Sequence, residues 1–125
     1  MLKTRWRKAI HHYLKLFGLG QWRVYTDLGA LEEFCMASAD TFYGHHIAYI
    51  RLSAQFIEFD KPQALEIAGK VSLYAPQTLD EVACHEVLHL VFHSLSNDVE
   101  GVTKDAEKSI SDTARVIAKL SPSGV

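Results

Sequence analysis

The stretch from Thr78 to Ser96 constrains this chain more than any other. Val87, Leu88, Val91 and Leu95 form an apolar face, and Ala83 and Leu90 extend it until the pattern is apolar nearly all round. A helix of that kind is stable only where other elements cover most of it. The rest of the chain must therefore wrap around this segment. Thr78 followed by Glu81 has the spacing of a capping box, which starts the helix there.

In the middle of the apolar pattern stand His85-Glu86-Val87-Leu88-His89, an H-E-x-x-H sequence. Residues four apart on a helix stand one turn apart on one face, so both imidazoles can reach a single metal ion. Glu86 lies about 100° round from His85, beside such an ion rather than on it. From there it can take a proton from a metal-bound water, whose pKa zinc lowers toward about 7. Unpaired polar groups on a buried helix are costly, so these three need partners. Hydrogen-bonded core histidines are the plain alternative, and zinc is the expected cofactor.

A zinc site of this kind needs a third protein ligand. His93 follows His89 by four residues, but it stands about 12 Å along the axis from His85. It is expected as a lid, substrate-contacting or supporting residue. The last helical pattern, Thr103 to about Leu120, offers a better ligand. Ile110, Ser111, Ala114, Ile117 and Ala118 gather around the azimuth of Glu107. Lys104, Asp105, Lys108, Asp112, Arg115 and Lys119 lie toward the other side. Glu107 is thus the acid on the apolar face, with Glu100 in the preceding loop, Asn97 to Val102, as the alternative. A ligand on a helix is better positioned than one on a loop.

The remaining elements come from periodicity. Lys3 to Phe17 is expected as a helix, with Trp6, Ile10, Tyr13, Leu14 and Phe17 at helical spacing and Gly18 and Gly20 ending it. Trp22 to Leu28 alternates and predicts a half-buried strand. Phe34 to Tyr43 is a weaker strand. Gly44 turns the chain, and His46 to Leu52 is a third strand, paired with the second as an antiparallel hairpin. Asp60 before Pro62 suggests a helix start, continued by Ala64, Leu65, Ile67 and Ala68 and closed by Pro76. A short, mainly antiparallel three-stranded sheet before two strong helices makes the class α+β. The 125 residues form one domain, 1–125.

Composition narrows the function classes. The formal net charge of −2 gives no overall bias toward nucleic acid or membrane. Lys3, Arg5, Arg7, Lys8, Lys15 and Arg23 all precede the first acid, Asp27, which reads as a solvated helix face or a phosphate- or lipid-contacting one. Cys35 and Cys84 form no CxxC pair, so neither a disulfide scaffold nor a zinc knuckle is expected. No apolar run is long enough to span a bilayer, and the N-terminus lacks the apolar stretch of a secretory signal. A cytoplasmic protein without membrane or nucleic-acid partners is expected.

His85-Glu86-Val87-Leu88-His89, with Ala106-Glu107 on a following helix, resembles the gluzincin branch of the zincin metallopeptidases. The chain also looks like the minimal single-domain zincins, which carry a short sheet before the motif helix. The resemblance implies a peptidase acting on a peptide or protein substrate that pairs in extended form with an edge strand, here Phe34–Tyr43 or His46–Leu52. It also implies a Tyr or His near the oxyanion, for which Tyr43, His45, His46, Tyr74 and His93 are available and His93 is preferred. Thermolysin-like members carry an aspartate four residues after the glutamate ligand, orienting a histidine. Here that position is Ser111, and Asp112 points about 100° away. Two other readings compete. One is a metal-dependent ribonuclease, suggested by the H-x-x-L-H-L stretch from His85 to Leu90. The other is a non-catalytic zinc module that binds a partner, which would need no general base such as Glu86.

Overall fold

A computed structural model describes residues 1–31, 36–42, 45–95 and 104–125, the side chains of 67, 93–95 and 104–105 excepted. Among these residues the chain is α+β. It runs α1 (Leu2–Leu16), β1 (Arg23–Gly29), β2 (Ala37–Phe42), β3 (Ile47–Ser53), β4 (Gln63–Ile67), β5 (Lys70–Tyr74), α2 (Leu79–Leu95) and α3 (Lys104–Leu120).

The end of α1 is where the glycines put it. Gly18 adopts φ 68°, and the amide of Leu19 donates back to the Leu14 carbonyl at 2.9 Å. This left-handed turn satisfies a carbonyl that the helix end would leave open. The inner face of α1 contributes Trp6, Ala9, Ile10 and Tyr13, all fully buried. Trp6 Nε1 donates to the Ile50 carbonyl at 3.3 Å, tying the helix to β3.

The three-stranded sheet has the order β1-β3-β2. β2 and β3 pair antiparallel as expected, with Ala39 opposite Ile50. β1 pairs with β3 in parallel, Val24 opposite Ala48. The sheet is therefore mixed rather than mainly antiparallel, because β1 enters beside β3 and runs the same way. Ala48, Ile50 and Leu52 point into the core, while Tyr25, Tyr49 and Phe42 cluster on the outer face.

Residues 60–75 correct the expected helix. They form a hairpin, β4 and β5, joined by Ala68 and Gly69 at φ 56° and 79°. Two successive positive φ values make the type I′ turn that matches strand twist. A bridge between Phe59 and Gln77 closes the base of the hairpin, each amide donating to the other's carbonyl.

α2 lies at the centre, packed against α1, β2 and α3. None of its residues from Leu79 to Val91 is exposed, and Ala83, Cys84, Val87 and Leu90 are fully buried. Burial pushes the Cys84 thiol up to about 12, so it packs as a neutral side chain. Thr78 Oγ1 accepts from the Glu81 amide at 3.2 Å, the expected cap. The reciprocal half is absent from the capping box, because the Glu81 carboxylate turns to Arg115 on α3. Glu58 supplies a further cap, accepting from the Leu79 amide at 2.6 Å. Among the described residues, no helix is long and apolar enough to cross a membrane.

Candidate metal centre

α2 and α3 bring the site together. His85 and His89, one turn apart on α2, aim their Nε2 atoms at one point and stand 3.2 Å apart there. Glu107 on α3 reaches the same point. Its Oε1 lies 2.6 Å from His85 Nε2 and its Oε2 3.3 Å from His89 Nε2. Behind His85, Ser111 Oγ lies 3.1 Å from Nδ1. Glu86 is buried beside the pair, and His85, Glu86 and His89 each offer a ligand atom within 4.8 Å of the others. This His-Glu-His group can hold a metal ion.

The donor chemistry fits an ion better than a set of ordinary hydrogen bonds. Two Nε2 atoms facing each other at 3.2 Å need one to donate and the other to accept. Glu107 then asks both for protons at once. Yet burial holds the His89 pKa below its ordinary value of 6.5, although the Glu107 charge pulls the other way. A cation at the convergence point would satisfy all three acceptors with both rings neutral. Ser111 fits the same arrangement. His85 with its proton on Nδ1 donates to Ser111 Oγ and leaves the Nε2 lone pair free. Ser111→Ala is therefore expected to weaken metal binding by about ten- to hundredfold, the usual effect of losing a partner behind a ligand. Competition with a metallochromic chelator measures this.

Burial pushes the Glu86 carboxyl up to about 8, with the charges of Glu107 and Asp40 adding to the effect. In chelator-treated protein this has a defined consequence. The folded chain keeps the Glu86 proton after the unfolded chain has lost it, so stability falls as pH rises from 4.5 to about 8. His89 acts oppositely, and its contribution is lost as pH falls below 6.5. Above 6.5 the Glu86 effect outweighs that of His89, and the unfolding free energy from urea titrations should decline by at most about 1.4 kcal/mol per pH unit. Glu86→Gln should flatten that decline.

The site opens into a cavity of about 360 Å³. Met36 and Ala37, at the start of β2, form one wall, and Gln77, Glu81 and Val82 another. Arg115 completes the α3 side. No family model, curated protein or solved structure matches this chain. The site is thus read from its own geometry.

That geometry brings together four of the residues singled out in the sequence: His85, Glu86, His89 and Glu107. His93 lies in α2, but its side chain is outside the described residues, as are Glu100 and Tyr43. His45, His46 and Tyr74 do not line the cavity, and His46 packs edge-on against Trp22. Of the two expected edge strands, β3 is the centre of the sheet and is paired on both sides. β2 is an edge, and its start lies at the cavity. Arg115 had been placed on the far side of its helix, yet its long side chain swings to the cavity and pairs with Glu81 at 3.1 Å. The spacing Glu107, Ser111, Arg115 carries this signal, since residues four apart share a helix face.

Proposed function

We propose that this chain is a zinc-dependent peptidase, with His85, His89 and Glu107 as the zinc ligands and Glu86 as the general base. The observation that carries the reading is the convergence of two imidazole nitrogens and one carboxylate on a single point, with a buried carboxyl beside it. Zinc–nitrogen bonds of about 2.0–2.1 Å in a tetrahedron put neighbouring donors about 3.3 Å apart. The His85–His89 and His89–Glu107 separations, 3.2 and 3.3 Å, match that edge. The third, between His85 and Glu107, is 2.6 Å, shorter than that edge.

Zinc held there supplies a Lewis acid that activates water and polarises the peptide carbonyl. The chain's own residues do the rest. Glu86 is buried beside the two imidazoles. It takes the water's proton on its carboxylate and delivers it to the leaving amine. Ser111 holds the His85 ring in the tautomer that leaves Nε2 free. His93, one turn beyond His89, is the proposed donor to the developing oxyanion. The substrate is a polypeptide in extended form along β2, an edge strand among the described residues, whose start borders the cavity.

The test is hydrolysis of an unstructured protein and of short peptides by the zinc-loaded chain. Cleavage should stop with chelator and return with zinc. RNA cleavage without peptide cleavage would replace this reading with the ribonuclease one.

A further inference from the structure

The metal centre accounts for the polar groups at one end of the cavity. At the other end the polar groups are Arg115 with Glu81 and, on β-bridge residue 77, a glutamine. Among the described lining residues, Arg115 is the one with a permanent positive charge. Glu81 Oε1 accepts from its Nε at 3.1 Å. Asp112 Oδ1 forms a looser ion pair with Nη1 at 3.6 Å, longer than a hydrogen bond. Among the described residues, no hydrogen bond takes Nη1 or Nη2. The guanidinium is hydrogen-bonded at its stem side, and its outer N–H groups keep room for an acceptor.

We infer that Arg115 is a specificity residue, binding a carboxylate of the polypeptide substrate near the bond to be cut. The inference rests on the peptidase reading and names the substrate class that reading leaves open: segments bearing a glutamate or aspartate. Two parallel N–H donors match the two oxygens of a carboxylate, a geometry that a neutral amide fills poorly. Glu81 and Asp112 offset the charge of Arg115 at long range, so recognition depends on this short-range fork. Lysine cannot supply it. Met36 and Val82 on the facing walls suit the aliphatic stem of a glutamate. Position follows from helix rise. Arg115 is eight residues beyond Glu107, about 12 Å along the α3 axis. An extended chain covers about 3.4 Å per residue. The acid recognised therefore stands within about three residues of the bond.

The experiment uses labelled hexapeptides of alanine and glycine with one glutamate moved through successive positions, each beside its glutamine twin. Hydrolysis is measured on the zinc-loaded chain, and binding by fluorescence anisotropy on the Glu86→Gln chain. At one position the glutamate peptide should bind and react about ten- to hundredfold better than its twin, the usual range for a charged hydrogen bond. Arg115→Met should remove that preference, so that the glutamate peptide and its glutamine twin are handled alike. Arg115→Lys keeps the stem and the charge, so its fold is protected, and it should also lose the preference. Glu81→Gln should retain it. Equal handling of glutamate and glutamine at every position would overturn the inference. So would Arg115→Lys and Glu81→Gln variants that slow both peptides alike, which is what a simple latch between α2 and α3 predicts. If no peptide is cut but Arg115-dependent preference persists in binding, the peptidase reading fails and the carboxylate site stands.

Discussion

Glu86→Gln is expected to keep the metal and the fold and to lower peptide hydrolysis by about 10² to 10⁴. Glutamine has nearly the shape of glutamate, so packing against the buried α2 surroundings survives. What it lacks is the ability to accept the water's proton and pass it on. Glu86 lies beside the two imidazoles and is 6% exposed, so bulk water cannot easily substitute for it. The loss should fall on kcat, because a proton transfer is made only in the transition state. A variant that cuts peptides as fast as the wild-type chain, while still sensitive to chelator, would mean another base. A non-catalytic role for the centre predicts no activity in either form.

Glu107→Gln has the second large effect, and it falls on metal affinity. Glu107 touches both Nε2 atoms, which no other described carboxylate does. Replacing an anionic ligand with a neutral amide should weaken zinc binding by more than the ten- to hundredfold expected for Ser111→Ala. Glu100→Gln should have little effect. The protein should also lose the thermal stabilisation that zinc gives, since an ion bound only by the folded chain stabilises it by linkage. Equal zinc affinity in Glu107→Gln and the wild-type chain would remove Glu107 as a ligand.

The central helix and its His-Glu-His group were legible because periodicity and spacing are local properties. From Val82 to Phe92 an apolar pattern broken only by His85, Glu86 and His89 fixes both the burial of α2 and the face its histidines share. Glu107 was legible for the same reason, as the acid on the apolar face of α3. Long-range choices were not. Nothing local in Arg23–Gly29 says that it will lie parallel to β3, since the partner is set by how the sheet covers α1 and α2. The β4–β5 hairpin was misread because Ala64 and Ala68 favour helix. The alternation of Leu65 and Ile67 with Val71 and Leu73, around Ala68-Gly69, is the weaker signal that tertiary structure obeys. Ser111 and Arg115 belong to a third kind. Their positions are local, but what they touch depends on side-chain reach across to α2, as the Ser111–His85 and Arg115–Glu81 contacts illustrate.

The central claim is that one zinc ion is held between α2 and α3. Elemental analysis of protein purified without chelator, followed by zinc titration, tests it most directly. The account predicts one zinc per chain in the wild-type protein and none in a His85→Ala, His89→Ala double variant that remains folded. No zinc in the wild-type chain and no uptake on titration, or undiminished zinc in the double variant, would contradict it.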